Sequence, residues 1–336
     1  MRKNFAAAIL LFIVSLIALP LLSACQPKLI TETVSTDTFR LSKISDYPLF
    51  EMDYLADYRQ GSIAFAEQES SVFACSLFAA ANSEGGYMLG RNFDWDPNPI
   101  VILHTSPANG YRSISMVNLG FLGISKDQAE KFISKIDVYK NKLAMAPFVP
   151  VDGMNEIGLA VGMAAVPEGS DRLDSGKPVM GSLGIMREIL DFAATVDEAL
   201  AIMDSYRIEF GGGPAVHYLI ADANGDSAIV EYGSGEMNII RKESEWQAIT
   251  NFLLEGAGSE PELMCDRYKK ISEKMTFTKG VLSIKEGTNL LSEISQGDPK
   301  VEGTQWSALY DLSQVILNVS IGMDYKNWQS FSIANK

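Results

Sequence analysis

A chain of 336 residues, 47% of them hydrophobic, is long enough to bury one large core, and it carries a formal net charge of −14. That acidic balance works against nucleic acid and anionic lipid head groups as partners. Three cysteines and two histidines form no cluster with zinc spacing, and no phosphate-cradling Gly-Lys-Ser/Thr loop occurs, so no metal or organic cofactor is expected.

Residues 1–24 read as a targeting segment. Arg2 and Lys3 precede an almost wholly apolar run at 5–22, which closes on Leu22-Ser23-Ala24-Cys25. Small residues before a cysteine at this place resemble a bacterial lipobox. The resemblance implies diacylation of Cys25 and an extracytoplasmic protein, at the cell surface or in the periplasm, held on a membrane by lipid. The alternative is an uncleaved membrane anchor, since the run is just long enough to span a bilayer. Residues 25–46 are Thr/Ser-rich and read as a tether. Residues 47–74 begin with YPLFEMDYLADYRQ, too aromatic for a linker, and read as a pro-segment or packed N-terminal segment before a main domain at 75–336.

Residues 73–95 read as two strands joined by the turn Asn82-Ser83-Glu84-Gly85-Gly86. Antiparallel pairing would bring Cys75, early in the first strand, beside Arg91 and Asp94, late in the second. A cysteine in an apolar strand reads, on that feature alone, as a small buried hydrophobe. His104 and His217 sit in strand-like runs and read as satisfied sheet residues, which leaves a Cys-His or Ser-His pair without a clear candidate. A cysteine can dispense with histidine when it is the first residue of its chain, because its own α-amine titrates near about 8 and can take the thiol proton.

Further along, 126–143 is charged and weakly helical. Val151-Asp152-Gly153-Met154-Asn155-Glu156 reads as a turn feeding an apolar strand. Residues 184–206 read as helical, with a capping box at Thr195-Val196-Asp197-Glu198. Residues 215–221 and 227–232 form a hairpin signal around Asp222-Ala223-Asn224-Gly225-Asp226, and strand-like runs follow at 237–241 and 246–251. Thr250-Asn251 reads as a turn starter, Pro261 opens a helix, and Arg267 reads as a surface residue on it. Residues 303–311 and 315–320 read as closing strands. Strand pairs and helices without a βαβ rhythm point to an α+β fold of antiparallel sheets covered by helices. In an oxidising compartment Cys75 and Cys265 could pair; spacing leaves this open.

Cys75-Ser76 followed by Gly90-Arg91-Asn92-Phe93-Asp94-Trp95 resembles the choloylglycine hydrolase family of N-terminal-nucleophile hydrolases. That family includes bile salt hydrolases and penicillin V acylases, with acid ceramidase and N-acylethanolamine acid amidase as relatives. The resemblance implies an αββα four-layer sandwich and an autocatalytic cut between Ala74 and Cys75. It implies an amidohydrolase acting on a linear amide C–N bond of a small N-acyl amide, by way of an acyl-enzyme and without a cofactor. Asp94 would hold the α-amine of Cys75 and Arg91 would keep the thiol pKa low. Asn155 and Asn251 would donate to the oxyanion, and Arg267 would point into the site. An acyltransferase on the same scaffold is a near variant. A reading from another class is a solute-binding or surface lipoprotein with an inert Cys75. A processed N-terminus at Cys75 separates the two.

Overall fold

The computed structural model of the protein describes residues 32–45, 47–60, 74–173, 176–211 and 213–333. Cys25 and its apolar run lie outside the described residues, as does the stretch 61–73. Beside a two-stranded parallel pair, Val179–Gly181 with Arg207–Glu209, there are two main sheets, and the larger has ten strands in the order Glu32–Ser35, Phe39–Ser45, Leu49–Tyr54, Ile100–Thr105, Ser113–Asn118, Asp152–Asn155, Ala160–Ala165, Val216–Ala221, Ser227–Gly233 and Glu236–Arg241. The second runs Trp246–Ile249, Ala74–Asn82, Tyr87–Trp95, Glu302–Asp311, Ile316–Ile321 and Gln329–Ser332, with two short strands added off this path.

Side chains alternate across the Ala74–Asn82 strand, and the alternation builds the layers. Cys75, Leu77 and Ala79 face the core shared with the larger sheet. Phe78 and Ala80 face a second core, made with Ile271, Met275, Leu290 and Leu291 of the Asp266–Thr278 and Ile284–Glu293 helices. Helices Ser182–Phe192 and Val196–Asp204 pack on the larger sheet. The result is the four-layer αββα sandwich expected from the resemblance. The sheets approach closely at Gly162, where an added Cβ would lie 2.5 Å from a methyl of Leu77. A larger residue there would have to push the Leu77 side chain aside.

The expected hairpin forms over Ala74–Asn82 and Tyr87–Trp95, with Cys75 opposite Phe93 and Leu77 opposite Arg91. The helical region ends one helix at Phe192 and starts the next behind Thr195, whose hydroxyl accepts from the Glu198 amide. The Ile284–Glu293 helix was not anticipated, although its start carries a capping-box signal: Ser283 and Glu286 satisfy each other's backbone amides.

The tether is corrected. Residues 32–45 are not a linker, because Phe39 and Leu41 are fully buried and their strand pairs with both Glu32–Ser35 and Leu49–Tyr54. Leu49–Tyr54 in turn pairs in parallel with Ile100–Thr105 of the main domain. Leu49, Phe50 and Met52 are at most 2% exposed. Each such side chain is worth about 2 kcal/mol of burial, and a ladder on both edges adds directional bonds. If the chain is cut at 74–75, the fragment ending at Ala74 is therefore expected to stay bound. Both pieces should co-elute in gel filtration and separate only in denaturant; free release in native buffer would contradict the packing.

Candidate active site

Cys75 lies where the smaller sheet runs out of strand on one side. The strand Trp246–Ile249 covers Leu77 to Ala80 and stops, so no backbone reaches Cys75 from that edge. Side chains take over. The Cys75 backbone N–H donates to Asn251 Oδ1 at 3.0 Å. The Arg267 guanidinium donates through Nη1 to the Cys75 carbonyl and through Nη2 to Asn251 Oδ1 at 2.7 Å. Both partners of that oxygen are donors, so the amide orientation of Asn251 is set by chemistry. Its Nδ2 donates to the Ala165 carbonyl at 2.8 Å.

The thiol points the other way, into the core between the sheets. Arg91 Nη2 donates to Cys75 Sγ at 3.1 Å. The guanidinium is fully buried, held by Val151 O at 2.9 Å and by the carboxylate of Asp152 from the opposite sheet. Asp152 also accepts from Trp306 Nε1 at 3.1 Å and from the Tyr310 hydroxyl. The Arg91 plane lies over Phe93, 4.7 Å from its centroid, and Phe93 stacks on Trp306 at 4.1 Å. A planar cation with fixed donors, stacked on an aromatic pair, leaves its Nη2 one direction to point.

Asp94 sits on the other face of its strand, opposite Thr304. It accepts from Thr304 Oγ1 at 2.6 Å and lies 3.6 Å from Arg267 Nη1, while its Oδ2 has no hydrogen-bond donor. Burial pushes its carboxyl up to about 6, against the pull of Thr304, Arg267 and Arg91. A carboxylate raised in this way is more readily protonated in the folded chain than in the unfolded one. Its contribution to stability is thus greatest in acid and declines between about pH 4 and about 6. On a Cys75→Ala background, which keeps the chain uncut, the stability gained by Asp94→Asn is expected to grow over that window. The growth should reach about 3 kcal/mol at most and then level off. Denaturant unfolding at a series of pH values reads it, and a difference independent of pH would contradict the placement of Asp94.

Burial likewise pushes the Cys75 thiol up to about 11, and the charges of Arg91 and Arg267 only partly offset it. Arg91 pulls the thiol pKa down as expected, but in the uncut chain burial outweighs it. The thiol has no solvent, and the charge of Arg91 is shared with Asp152. Cys75 and Cys265 are both free.

Asn155 is also corrected. Its Nδ2 donates to Leu190 O at 3.2 Å and Ala193 O at 2.7 Å, and its Oδ1 accepts from the amides of Ile157 and Leu159. It closes a turn and caps the end of a helix, with its amide engaged three residues along the strand from Asp152. The turn former Asp152, by contrast, proves to be the buried partner of Arg91. For Asn251 the bonds in the uncut chain anchor the Cys75 nitrogen and do not form an oxyanion site. Arg267 reaches the site as expected. His104 meets Glu51 at 3.0 Å and His217 meets Glu231 at 2.9 Å, both within the larger sheet. Among the described residues no group of His, Cys, Asp and Glu is arranged to hold a metal ion.

The family model described as Acyl-coenzyme A:6-aminopenicillanic acid acyl-transferase matches residues 81–324, which includes Arg91, Asp94, Asn251 and Arg267. No curated protein matches the chain in sequence. A mutant of the conjugated bile acid hydrolase from Clostridium perfringens superposes with a TM-score of 0.58 at 13% identity, over 78% of this chain and 93% of that one. Penicillin V acylase from Agrobacterium tumefaciens gives 0.55 at 18% identity, over 77% and 86%. At these identities the likeness is one of fold.

Proposed function

The chain belongs to the acyl-coenzyme A:6-aminopenicillanic acid acyl-transferase family, and from that membership we propose that it is a hydrolase of linear amide C–N bonds with Cys75 as nucleophile. The observation that carries the reading is the pair of contacts at Cys75, Arg91 Nη2 on the sulfur and Asn251 Oδ1 on the nitrogen. A buried N–H at a strand edge needs an acceptor in any protein; the unusual part is a buried guanidinium aimed at the sulfur of the same residue.

Maturation comes first. The thiol adds to the Ala74 carbonyl, the C–N bond to Cys75 breaks, and the nitrogen takes up the proton. Water then hydrolyses the thioester, which restores the thiol and leaves a carboxylate on Ala74. The new α-amine is held by Asn251 Oδ1 and, through charge, by Asp94. In turnover this amine takes the thiol proton and the sulfur attacks the substrate carbonyl. The amine next returns the proton to the leaving nitrogen, and water releases the acid. Arg91 orients the sulfur and stabilises its negative form. The names of the fold neighbours, a conjugated bile acid hydrolase and a penicillin V acylase, favour a small N-acyl amide as substrate.

Mass spectrometry of the mature protein tests the reading. A chain beginning at Cys75, acylated at that residue when turnover is quenched in acid, is expected. Amide hydrolysis by a chain still joined at 74–75 would overturn it. The family's description favours acyl transfer as a second reading, because an amine could replace water in the last step. An added amine that diverts the acyl group from acid to amide would select it. Lipid anchoring at Cys25 is proposed from its sequence context alone, and Cys25→Ser should then release the protein from salt-washed membranes.

A further inference from the structure

Two buried polar side chains of the larger sheet have no part in the chemistry above. His217 and Glu231 lie on neighbouring antiparallel strands and are completely buried. Their ring-to-carboxylate contact, Nδ1 to Oε1, is 2.9 Å. The other ring nitrogen, Nε2, lies 2.7 Å from the carbonyl oxygen of Thr250. A carbonyl only accepts, so Nε2 carries a hydrogen and donates it. Glu231 continues the pattern. Its Oε1 accepts from the Leu254 amide and its Oε2 from the Glu255 amide, each at 2.9 Å.

All three anchor points fall on 250–255, a segment with neither strand nor helix that follows Trp246–Ile249. Asn251 stands on this segment, directly after the carbonyl that His217 holds. A loop without regular backbone bonds has freedom about each residue, and a side chain borne on it is aimed only as well as the loop is fixed. An apolar pair would fill the same space without the desolvation that polar side chains incur in a core. What the polar pair adds is direction, from the larger sheet across to the edge of the smaller one. Burial works to raise the Glu231 carboxyl, yet the His217 bond and the two amides hold it below its ordinary value, as expected of an acceptor fully used.

We propose that His217 and Glu231 are positioning residues for Cys75: by fixing the Thr250 carbonyl and the amides of Leu254 and Glu255 they hold Asn251 in line with the Cys75 nitrogen. This rests on the proposed role of Cys75, and two measurements keep the two claims apart. The first follows self-cleavage at 74–75 in freshly refolded chain. His217→Phe keeps a ring but loses both ring nitrogens, and should slow the cut on the order of 10²-fold, the scale of an ångström-sized misplacement. Asn251→Ala should slow it as well, and the double variant should be no slower than Asn251→Ala alone, because His217 acts only through Asn251. Multiplying losses would overturn the inference and leave the nucleophile untouched. Should His217→Phe not fold, Glu231→Gln, which keeps shape and loses one acceptor, enters the same cycle in its place.

The second measurement needs no activity. The chain has only two histidines, so 15N-histidine labelling yields two imidazole systems, assigned by His104→Gln. His217 should show a protonated Nε2 whose hydrogen exchanges slowly with solvent, and that protection should be lost in Glu231→Leu. A bare or freely exchanging Nε2 would overturn the inference. An uncut wild-type chain with the protected Nε2 would instead overturn the nucleophile reading and keep the brace of the loop.

Discussion

Cys75→Ala is expected to yield a chain that stays whole across residues 74 and 75 and hydrolyses no N-acyl amide above background, a loss of about 10⁴-fold or more. No other side chain at the site can replace the sulfur. Asp94 lies on the opposite face of its strand, opposite Thr304, and Arg91 and Arg267 have no nucleophilic lone pair at any ordinary pH. The variant should fold, since the change removes one buried atom. It does remove the Sγ acceptor at 3.1 Å and leaves Arg91 Nη2 with the Met163 carbonyl at 3.4 Å, so a drop in stability of about 1 kcal/mol is expected beside the chemical loss. Intact mass and an amide-hydrolysis assay read the two effects separately. A cut at 74–75 that persists in this variant would show another protease at work, and self-processing would be abandoned.

Arg91 should produce the second large effect, on stability and activity together. Arg91→Ala leaves the Asp152 carboxylate buried at 0% exposure without its cation, a change on the order of 3–5 kcal/mol. Arg91→Lys keeps the charge but offers one ammonium where the guanidinium presents Nη1 to Val151 and Asp152 and Nη2 to the sulfur. An ammonium drawn to Asp152 turns away from Cys75. The lysine variant should therefore stay folded while kcat falls on the order of 10²-fold. Comparing variants already processed at Cys75 removes any confusion with slow maturation. Wild-type turnover by processed Arg91→Lys would mean that the guanidinium serves only the fold. Asp152→Asn probes the same pair from the far side and should reproduce part of the loss without touching any atom near the sulfur.

The parts of the site that could be read in the sequence are those that lie close along it. Cys75, Arg91 and Asp94 belong to two strands joined by a four-residue turn at 83–86, so antiparallel pairing puts Cys75 and Arg91 on one face with Asp94 close by on the other. Asp152 was missed because its partner lies 61 residues away in the opposite sheet, and an Asp-Gly pair before an apolar run looks like a turn. Asn251 and Arg267 came from family resemblance; on their own they look like a turn starter and a helix surface residue. The same resemblance misplaced Asn155, whose amide closes its own turn. At the N-terminus, the strand Phe39–Ser45 looks like tether in sequence, because its register shifts between Lys43 and Ser45 and breaks the alternation that marks a strand. The Thr/Ser content of the stretch points the same way. His217 was rightly placed in a sheet, but its bond to the Thr250 carbonyl has no signature in spacing.

The parallel pairing of Leu49–Tyr54 with Ile100–Thr105 gives the proposed cut a lasting consequence. Before it, the three N-terminal strands are tethered to their neighbours and find them as part of one molecule. Afterwards they belong to a separate chain, and assembly becomes a second-order encounter whose success depends on concentration. The folded product of such a cut would keep the strand pairing of its precursor but lose the covalent path by which it was made. A processed molecule that unfolds in dilute surroundings has no simple way back, so its lifetime is governed by how slowly it opens. A protein built in this way is assembled once, and its working life is set by a rate.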